Sequence, residues 1–243
     1  MRLDLALEAR GLVQSRARAR DAVLRGTVSV NGAIAKKPNQ MVSDADAITL
    51  DDPAAHYVSR AALKLIAGLD AGGIAVMGKT CLDIGSSTGG FSQVLLERGA
   101  AHVVAVDVGH GQLDKRLRDD PRIANLEGVN ARALALDHLG GRAIGAVVSD
   151  VSFISLKLAL PPALALAARG AWCLLLVKPQ FEAGRAAIGK GGILRDTALG
   201  PKIAGDMAEW LNSLGGWRSL GVIPSPISGG DGNLEFLLAG RKE

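Results

Sequence analysis

Asp83-Ile84-Gly85-Ser86-Ser87-Thr88-Gly89-Gly90-Phe91 closes the apolar run Thr80–Ile84 and opens a helical pattern, and its reading decides the fold. A strand that ends in a glycine-rich turn and passes at once into a helix is where backbone can approach a nucleotide-like ligand, because glycine removes the side chains in the way. Outward from this turn, apolar runs at 102–107, 122–126, 143–150, 171–178, 217–223 and 233–239 alternate with helical stretches. Strand and helix repeated in this way predict an α/β fold with a doubly wound, Rossmann-like, mostly parallel sheet. The last two runs are joined by a short return, so the final strand is expected to be antiparallel. A helix over 60–69 leads into the sheet.

Composition agrees with a folded, water-facing chain. Of 243 residues, 48% are hydrophobic and 21% charged, enough apolar material for a core without the signature of disorder. The stretch 158–177 carries a single charge, but Pro161, Pro162, Arg169 and Gly170 divide it into a helix with prolines in its first turn and a buried strand over 171–177. Arg2, Asp4, Glu8 and Arg10 interrupt the beginning, so no secretory leader is read and a cytoplasmic protein without membrane partners is expected. Cys81 and Cys173 sit in apolar runs where a small hydrophobe would serve equally. They supply neither a disulfide framework nor a metal site, and no metal is expected.

Asp107 ends the strand after the glycine turn, 22 residues beyond Gly85, the usual separation for a carboxylate that binds ribose hydroxyls. A nicotinamide dinucleotide site would use the same spacing. Asp83 ahead of the turn, together with the lack of a G-x-G-x-x-G match, favours a ligand with a cationic amino acid moiety, S-adenosylmethionine. Its contacts are expected from Asp83, Gly85, Ser86, Ser87, Thr88, Gly89, Gly90, Phe91 and Asp107, with Asn130 and Asp137 near the adenine edge. The plainer alternative is a turn built for tight strand–helix packing, with Asp137 a loop cap.

Ligands of open parallel sheets lie beyond the carboxyl ends of the strands. Asp150 and Lys178 end two such strands, and an antiparallel final strand would begin at the same edge, bringing Glu235 close to them. Lys64 on the entering helix could cover the site from the side. Singly, Asp150 could be a helix cap, Lys178 a solvated strand end and Lys64 part of a polar helix face. Glu235 stands alone among Leu234, Phe236, Leu237 and Leu238, and a carboxylate inside an apolar strand is costly unless paired. Two amines with two acids suit attack by a sugar hydroxyl on a sulfonium methyl: one amine orients or deprotonates the hydroxyl, and the other anchors developing negative charge.

The amino-terminal segment is different in kind. Seven basic residues stand against Asp21 between Arg10 and Lys37, although the whole chain carries only +4. Leu3, Leu5, Leu7 and Leu12 open one helix, and Ser15 can cap a second that runs to about Arg25 and ends at Gly26. Val28 and Val30 then alternate ahead of Asn31-Gly32, a hairpin pair. On the second helix Arg16 and Arg20 share a face, while Arg18 and Arg25 point the opposite way. The organisation expected is a small α+β domain over 1–53, a linker over 54–59 and a larger domain over 60–243.

RLDLAL, SRARARDAV, GTVSVNG and KKPNQMV, in that order, resemble the ribosomal-protein-S-four-type RNA-binding domain, which implies contact with structured RNA through Arg2, Arg16, Arg20, Lys36 and Lys37, with Arg60 beyond them. SRAALKL, DIGSSTGGF, VDVGHGQL, SDVSFISL, VKPQFEAG, GKGGILRD and SPISGGDGNLEFL resemble the TlyA type, the hemolysin-A family of ribosomal RNA 2'-O-methyltransferases, whose catalytic domain is similar to the FtsJ methyltransferases. That resemblance implies a class I methyltransferase sheet and a Lys-Asp-Lys-Glu tetrad falling on Lys64, Asp150, Lys178 and Glu235. It also implies ribosomal RNA or a ribosomal subunit as partner, with a cytidine ribose as acceptor. Ser86 stands where the family often has alanine. The loop 183–193, rich in glycine with Arg185 and Lys190, reads either as a lid or as an ordinary surface loop. Two other readings stay open: a catalytically silent RNA-binding assembly factor, and a membrane-active hemolysin, for which no long amphipathic stretch is present.

Overall fold

The structure, a computed structural model, describes residues 1–230 and 232–243, and the chain forms two units, residues 1–56 and 57–243. The first unit holds α1 (Leu3–Ala9), α2 (Arg16–Leu24), β1 (Val28–Val30), β2 (Ala33–Ile34) and β3 (Ile48–Leu50). Ser15 caps α2, its hydroxyl accepting from the Arg18 N–H at 3.3 Å. Asn31 and Gly32 both lie at positive φ, so Val30 faces Ala33 across a two-residue turn whose twist matches the strands. The expectation of two helices and one hairpin omits β3, which pairs along the other edge of β1. Three residues are too few to display a period-2 pattern. Leu3, Leu7, Ala19, Ala22, Val23 and Val28 form the core of this unit.

The second unit contains α3 (Ala62–Gly72), β4 (Thr80–Ile84), α4 (Gly90–Glu97), β5 (His102–Asp107), α5 (Lys115–Arg118), β6 (Ile123–Glu127), β7 (Ile144–Ser149), α6 (Leu156–Ala159), α7 (Pro161–Leu166), β8 (Ala167–Val177), α8 (Pro179–Glu182), α9 (Leu199–Ser213), β9 (Trp217–Pro224) and β10 (Phe236–Lys242). Its strands form one sheet in the order β6-β5-β4-β7-β8-β10-β9. The first five are mutually parallel, and β10 is antiparallel to both its neighbours. The α/β class, the parallel majority and the antiparallel final strand are therefore as expected. Burial on both faces explains the near-continuous apolar runs in β5, β7 and β8. Leu82, Ile84, Val104, Val147 and Leu175 pack on one face, while Cys81, Val103, Ala146, Leu174 and Leu176 pack on the other with Leu65 and Leu95.

Two boundaries differ from the sequence reading. β8 starts at Ala167, four residues early, because α7 is a single short helix that ends at Leu166. β10 starts at Phe236, so Glu235 lies just before the strand instead of inside it. The cause is a closed loop ahead of it: the Ser225 N–H donates to the Glu235 carbonyl at 2.9 Å, and the Gly229 N–H donates to the Asn233 carbonyl at 2.9 Å. Among the described residues, no helix is long and apolar enough to cross a membrane.

Candidate functional site

The topological switch point lies between β4 and β7, where the Asp150 N–H donates to the Ile84 carbonyl at 3.1 Å. Strand order reverses there, which leaves a crevice beyond the carboxyl ends of the strands. Two lobes open in it, and Gly85, Ser87, Asp150, Ser152 and Phe153 line both.

The larger lobe, about 510 Å³, is walled by Ile84, Val106, Val108, Val129 and Ile154, with Asp107, Gln112 and Asn130 as its polar groups. That volume falls within the roughly 300–1,000 Å³ typical of small-molecule sites. The turn that borders it is built by backbone geometry. Gly85 sits at φ +80°, and a Cβ there would meet the Val151 backbone at 3.0 Å, so the close approach of β4 to β7 requires glycine. Gly89 at φ +95° leads into α4, and a Cβ on it would strike Leu113 and Leu117. Asp107 accepts from the Ser87 N–H on one oxygen and the Gly109 N–H on the other, both at 2.8 Å. Each carboxylate oxygen keeps a second lone pair for a diol. Apolar walls with Asp107 open to a diol, and Asp150 at the border with the polar lobe, fit an adenosine moiety, and the neighbouring polar lobe fits the charged end of such a ligand.

Three expected cofactor residues do not reach this crevice. Asp83 alternates onto the face of β4 covered by α4, where it is fully buried and accepts from the Ser92 hydroxyl at 2.7 Å. Burial pushes its carboxyl up to about 7, the Ser92 hydrogen bond opposing that rise, and its other oxygen has no partner. Gly89 lines neither lobe, although Thr88 and Gly90 on either side of it border the polar one. Asp137 is exposed on the short turn Leu136–Leu139 and lines neither lobe. Asn130 does line the larger lobe, although its side-chain oxygen also caps the following turn by accepting from the Arg132 N–H at 3.0 Å. Gly85, Ser86, Ser87, Thr88, Gly90 and Phe91 all border the polar lobe.

That polar lobe gathers four side chains from four elements. Lys64 from α3 and Glu235 ahead of β10 are each only 5% exposed, and Lys64 Nζ meets Glu235 Oε2 at 2.5 Å. Lys178 at the end of β8 approaches Asp150 Oδ1 at 2.7 Å as an ion pair and directs a hydrogen bond to the Ser152 hydroxyl, also at 2.7 Å. Lys64, Asp150, Lys178 and Glu235 all line the lobe. Glu235 is therefore the partner of the buried Lys64, while Asp150 is the partner of Lys178.

Four further residues of the lobe went unread in the sequence: Ser152, Phe153, Gln180 and Phe181. Phe153 adopts φ +66° and exposes 91% of its surface at the junction of the lobes, with its ring centroid 5.3 Å from that of Phe181. A bulky residue in the left-handed region is strained, and such strain collects at functional sites. Glu182 holds the loop in place by accepting from the Ser155 hydroxyl at 2.5 Å and the Leu156 N–H at 2.8 Å. Nothing in the local sequence signals this clamp, because its partners stand 26 and 27 residues apart.

The loop 183–193 is tethered to the same region. Asn233 accepts from the Leu194 N–H at 3.2 Å and donates to the Gly192 carbonyl at 3.2 Å. Cys81 and Cys173 are buried, and burial raises both thiols, Cys81 to about 12, so neither supplies a thiolate nucleophile.

In the first unit the arginines separate into two groups. Asp4 is fully buried. Burial alone would raise its carboxyl, yet hydrogen bonds from Arg2 and Arg16 hold it below the usual carboxylate range. Arg25 forms a two-pronged pair with Asp52 at 2.7 and 2.6 Å, and Arg18 donates to the Ala54 carbonyl. Arg20, Lys36 and Lys37 are exposed. Arg60, in the second unit, reaches the Ser228 carbonyl at 3.3 Å at the rim of the polar lobe.

Comparison with known proteins accords with this architecture. The FtsJ-like methyltransferase model matches residues 57–242, and the S4 domain model matches residues 1–48. The 16S/23S rRNA (cytidine-2'-O)-methyltransferase TlyA of Mycobacterium tuberculosis is 48% identical over 98% of this chain and 88% of its own. Hemolysin A of Brachyspira hyodysenteriae is 39% identical over 98% of each chain. A solved structure from Streptococcus thermophilus, provisionally described as a hemolysin, superposes with a TM-score of 0.77 at 37% identity, covering all of this chain and 88% of that one.

Proposed function

This chain belongs to the FtsJ-like methyltransferase family, in its TlyA branch, and from that premise we propose that it transfers a methyl group from S-adenosylmethionine to a cytidine ribose 2'-hydroxyl of ribosomal RNA. The observation that carries the proposal is the convergence of Lys64, Asp150, Lys178 and Glu235 on one lobe whose wall, through Asp150, is shared with the apolar lobe. Such convergence from α3, from the residues that follow β7 and β8 and from the one that precedes β10 has no packing rationale, because charged side chains at buried positions cost free energy unless paired.

In this reading Ile84, Val106, Val129 and Ile154 enclose the adenosine, Asp107 takes the ribose diol, and the Gly85–Gly90 turn passes under the amino acid portion. When bound, S-adenosylmethionine supplies an electrophilic methyl on a sulfonium, and its sulfur leaves as a neutral thioether. Lys178 orients the 2'-hydroxyl and, as the neutral amine, receives its proton to become the ammonium that Asp150 stabilises, while Asp150 and Ser152 fix the direction of its Nζ. Lys64, set against Glu235, is the cation beside which the oxyanion develops. The exposed Phe153 ring offers a flat face on which the base of an unstacked nucleotide can lie. Arg20, Lys36 and Lys37 of the amino-terminal unit supply phosphate contacts that position the RNA without reading its sequence.

The test is Lys178→Ala assayed with labelled cofactor on ribosomal subunits, the modified nucleotide being mapped by its resistance to alkaline cleavage. Methyl transfer should fall by at least about 100-fold, with RNA affinity and calorimetric cofactor affinity retained. Full activity in the variant would remove Lys178 from the chemistry. A parent chain with no measurable cofactor affinity would instead mark a silent assembly factor.

A further inference from the structure

Three arginines converge at the opposite end of the sheet from the switch point. Arg169 lies near the start of β8, Arg218 near the start of β9 and Arg241 near the end of β10, and with Gly170, Lys242 and Glu243 they line a cleft of about 270 Å³. Arg218 and Arg241 are direct cross-strand partners. Like charges placed opposite one another destabilise a sheet unless an anion lies between them. Only part of that charge is met within the chain. Arg218 pairs with Glu243 at 2.5 Å, whereas Arg169 and Arg241 have no side-chain partner among the described residues.

Lys242 is committed elsewhere. Its Nζ donates to the carbonyls of Leu164, Ala165 and Ala167 at 3.0, 2.9 and 2.7 Å, closing the end of α7 and fixing the strand that carries Arg241. Trp172 stands in register with Arg241 on one face of the sheet and Trp217 with Lys242 on the other, and both indoles are buried. Arg169 and Arg241 thus stand on adjacent strands with guanidinium groups unspent, beside an Arg218 held by Glu243, and planar guanidinium forks match the oxygens of a phosphate.

We propose that Arg169, Arg218 and Arg241 form a phosphodiester-binding site for the backbone of the RNA substrate. The inference rests on the methyltransferase reading above and extends it. Arg169 lies in a bulge of β8 between Ala167 and Trp172, and the regular stretch from Trp172 to Lys178, six residues at about 3.3 Å each, separates this site from the lysine by roughly 20 Å. A substrate touching both ends of the sheet is a large folded RNA, and a short single strand cannot satisfy both.

The experiment compares the full-length parent with Arg169→Ala/Arg241→Ala, both exposed positions, on ribosomal RNA and on an oligonucleotide of about three nucleotides, roughly 10 Å when stacked. Filter binding across a KCl series should show about tenfold weaker binding of the long RNA by the variant, with a log–log salt slope shallower by about one. KM for ribosomal RNA should rise with kcat unchanged, and the oligonucleotide should bind both proteins equally. An unchanged slope and KM, with the parent methylating normally, overturns this site alone. A parent that neither binds nor methylates ribosomal RNA overturns the functional reading and this site with it. Tryptophan fluorescence that responds to inorganic phosphate, without any effect of the variant on RNA, assigns the arginines to a free anion and likewise overturns the proposal.

Discussion

Glu235→Leu separates what the buried Lys64–Glu235 pair contributes to stability from what it contributes to chemistry. Both side chains are almost wholly excluded from water, and their charged atoms meet at 2.5 Å. Removing the carboxylate leaves an ammonium buried without a counter-ion, a change that typically costs about 3–5 kcal/mol. An upper limit exists, because a stranded ammonium can shed its proton, and neutralising an ordinary lysine at pH 7 costs about 5 kcal/mol, from 3.4 pH units at 1.36 each. For a unit of this size each kcal/mol shifts the midpoint by about 2–4 °C, so Glu235→Leu should melt about 6–20 °C below the parent by circular dichroism. The double variant Lys64→Met/Glu235→Leu removes both buried charges at once, and the neighbours of each in the chain, Leu65 and Phe236, are themselves buried and apolar. It should recover most of the lost melting temperature, since apolar replacement of a whole buried pair is often neutral or stabilising. Methyl transfer should be lost in both. A single variant melting within about 1 °C of the parent, or a double variant as unstable as the single, would refute the claim that these charges exist for chemistry at a cost in stability.

Asp83→Asn tests the buried carboxyl beneath the turn. Because its folded pKa, about 7, lies above its unfolded value of 3.8, the native state holds the proton more tightly. Stability is then greatest at low pH and declines as pH rises between those values. From pH 5 to pH 8 the parent should lose about 2–3 kcal/mol that the asparagine variant keeps, measured by urea unfolding at each pH; parallel pH profiles would exclude the shift. In the amino-terminal unit, Arg20→Ala/Lys36→Ala/Lys37→Ala should make the salt slope for ribosomal RNA shallower by about two to three with melting unchanged. Arg25→Ala should instead expose that unit to proteolysis through loss of about 2–3 kcal/mol, because its bonds go to Asp52 and Asp21. The reverse pattern would exchange their roles.

Much of the fold was legible because its signals are local. Gly85, Asn31-Gly32 and Ser15 each fix backbone geometry within a few residues, and the alternation of buried strands with amphipathic helices needs no tertiary knowledge. The site was legible only in outline. Sheet topology brings Asp150, Lys178 and Glu235 to one edge, but which acid takes which lysine depends on where α3 enters and where β10 begins. The latter is decided by hydrogen bonds of Ser225 and Asn233 within a loop that has no regular period. Asp83 shows a related limit: its place before the turn suggests a ligand contact, and the strand alternation that turns its side chain inward to Ser92 is a tertiary fact.

Phe153 shows how far such local reading reaches. Its left-handed backbone is disfavoured for an aromatic residue, so no propensity argument would assign it. It persists because the neighbouring segment is held on both sides, by Lys178 against Ser152 and by Glu182 against Ser155 and Leu156. Lys178 and Glu182 flank α8, so one short helix sets both the lysine and the exposed ring at the mouth of the cleft. Strain of this kind costs about 1–3 kcal/mol, and the contact with Phe181 leaves most of the ring in water. In the proposed reaction a base stacked on Phe153 offsets part of that cost and turns its ribose toward Lys178.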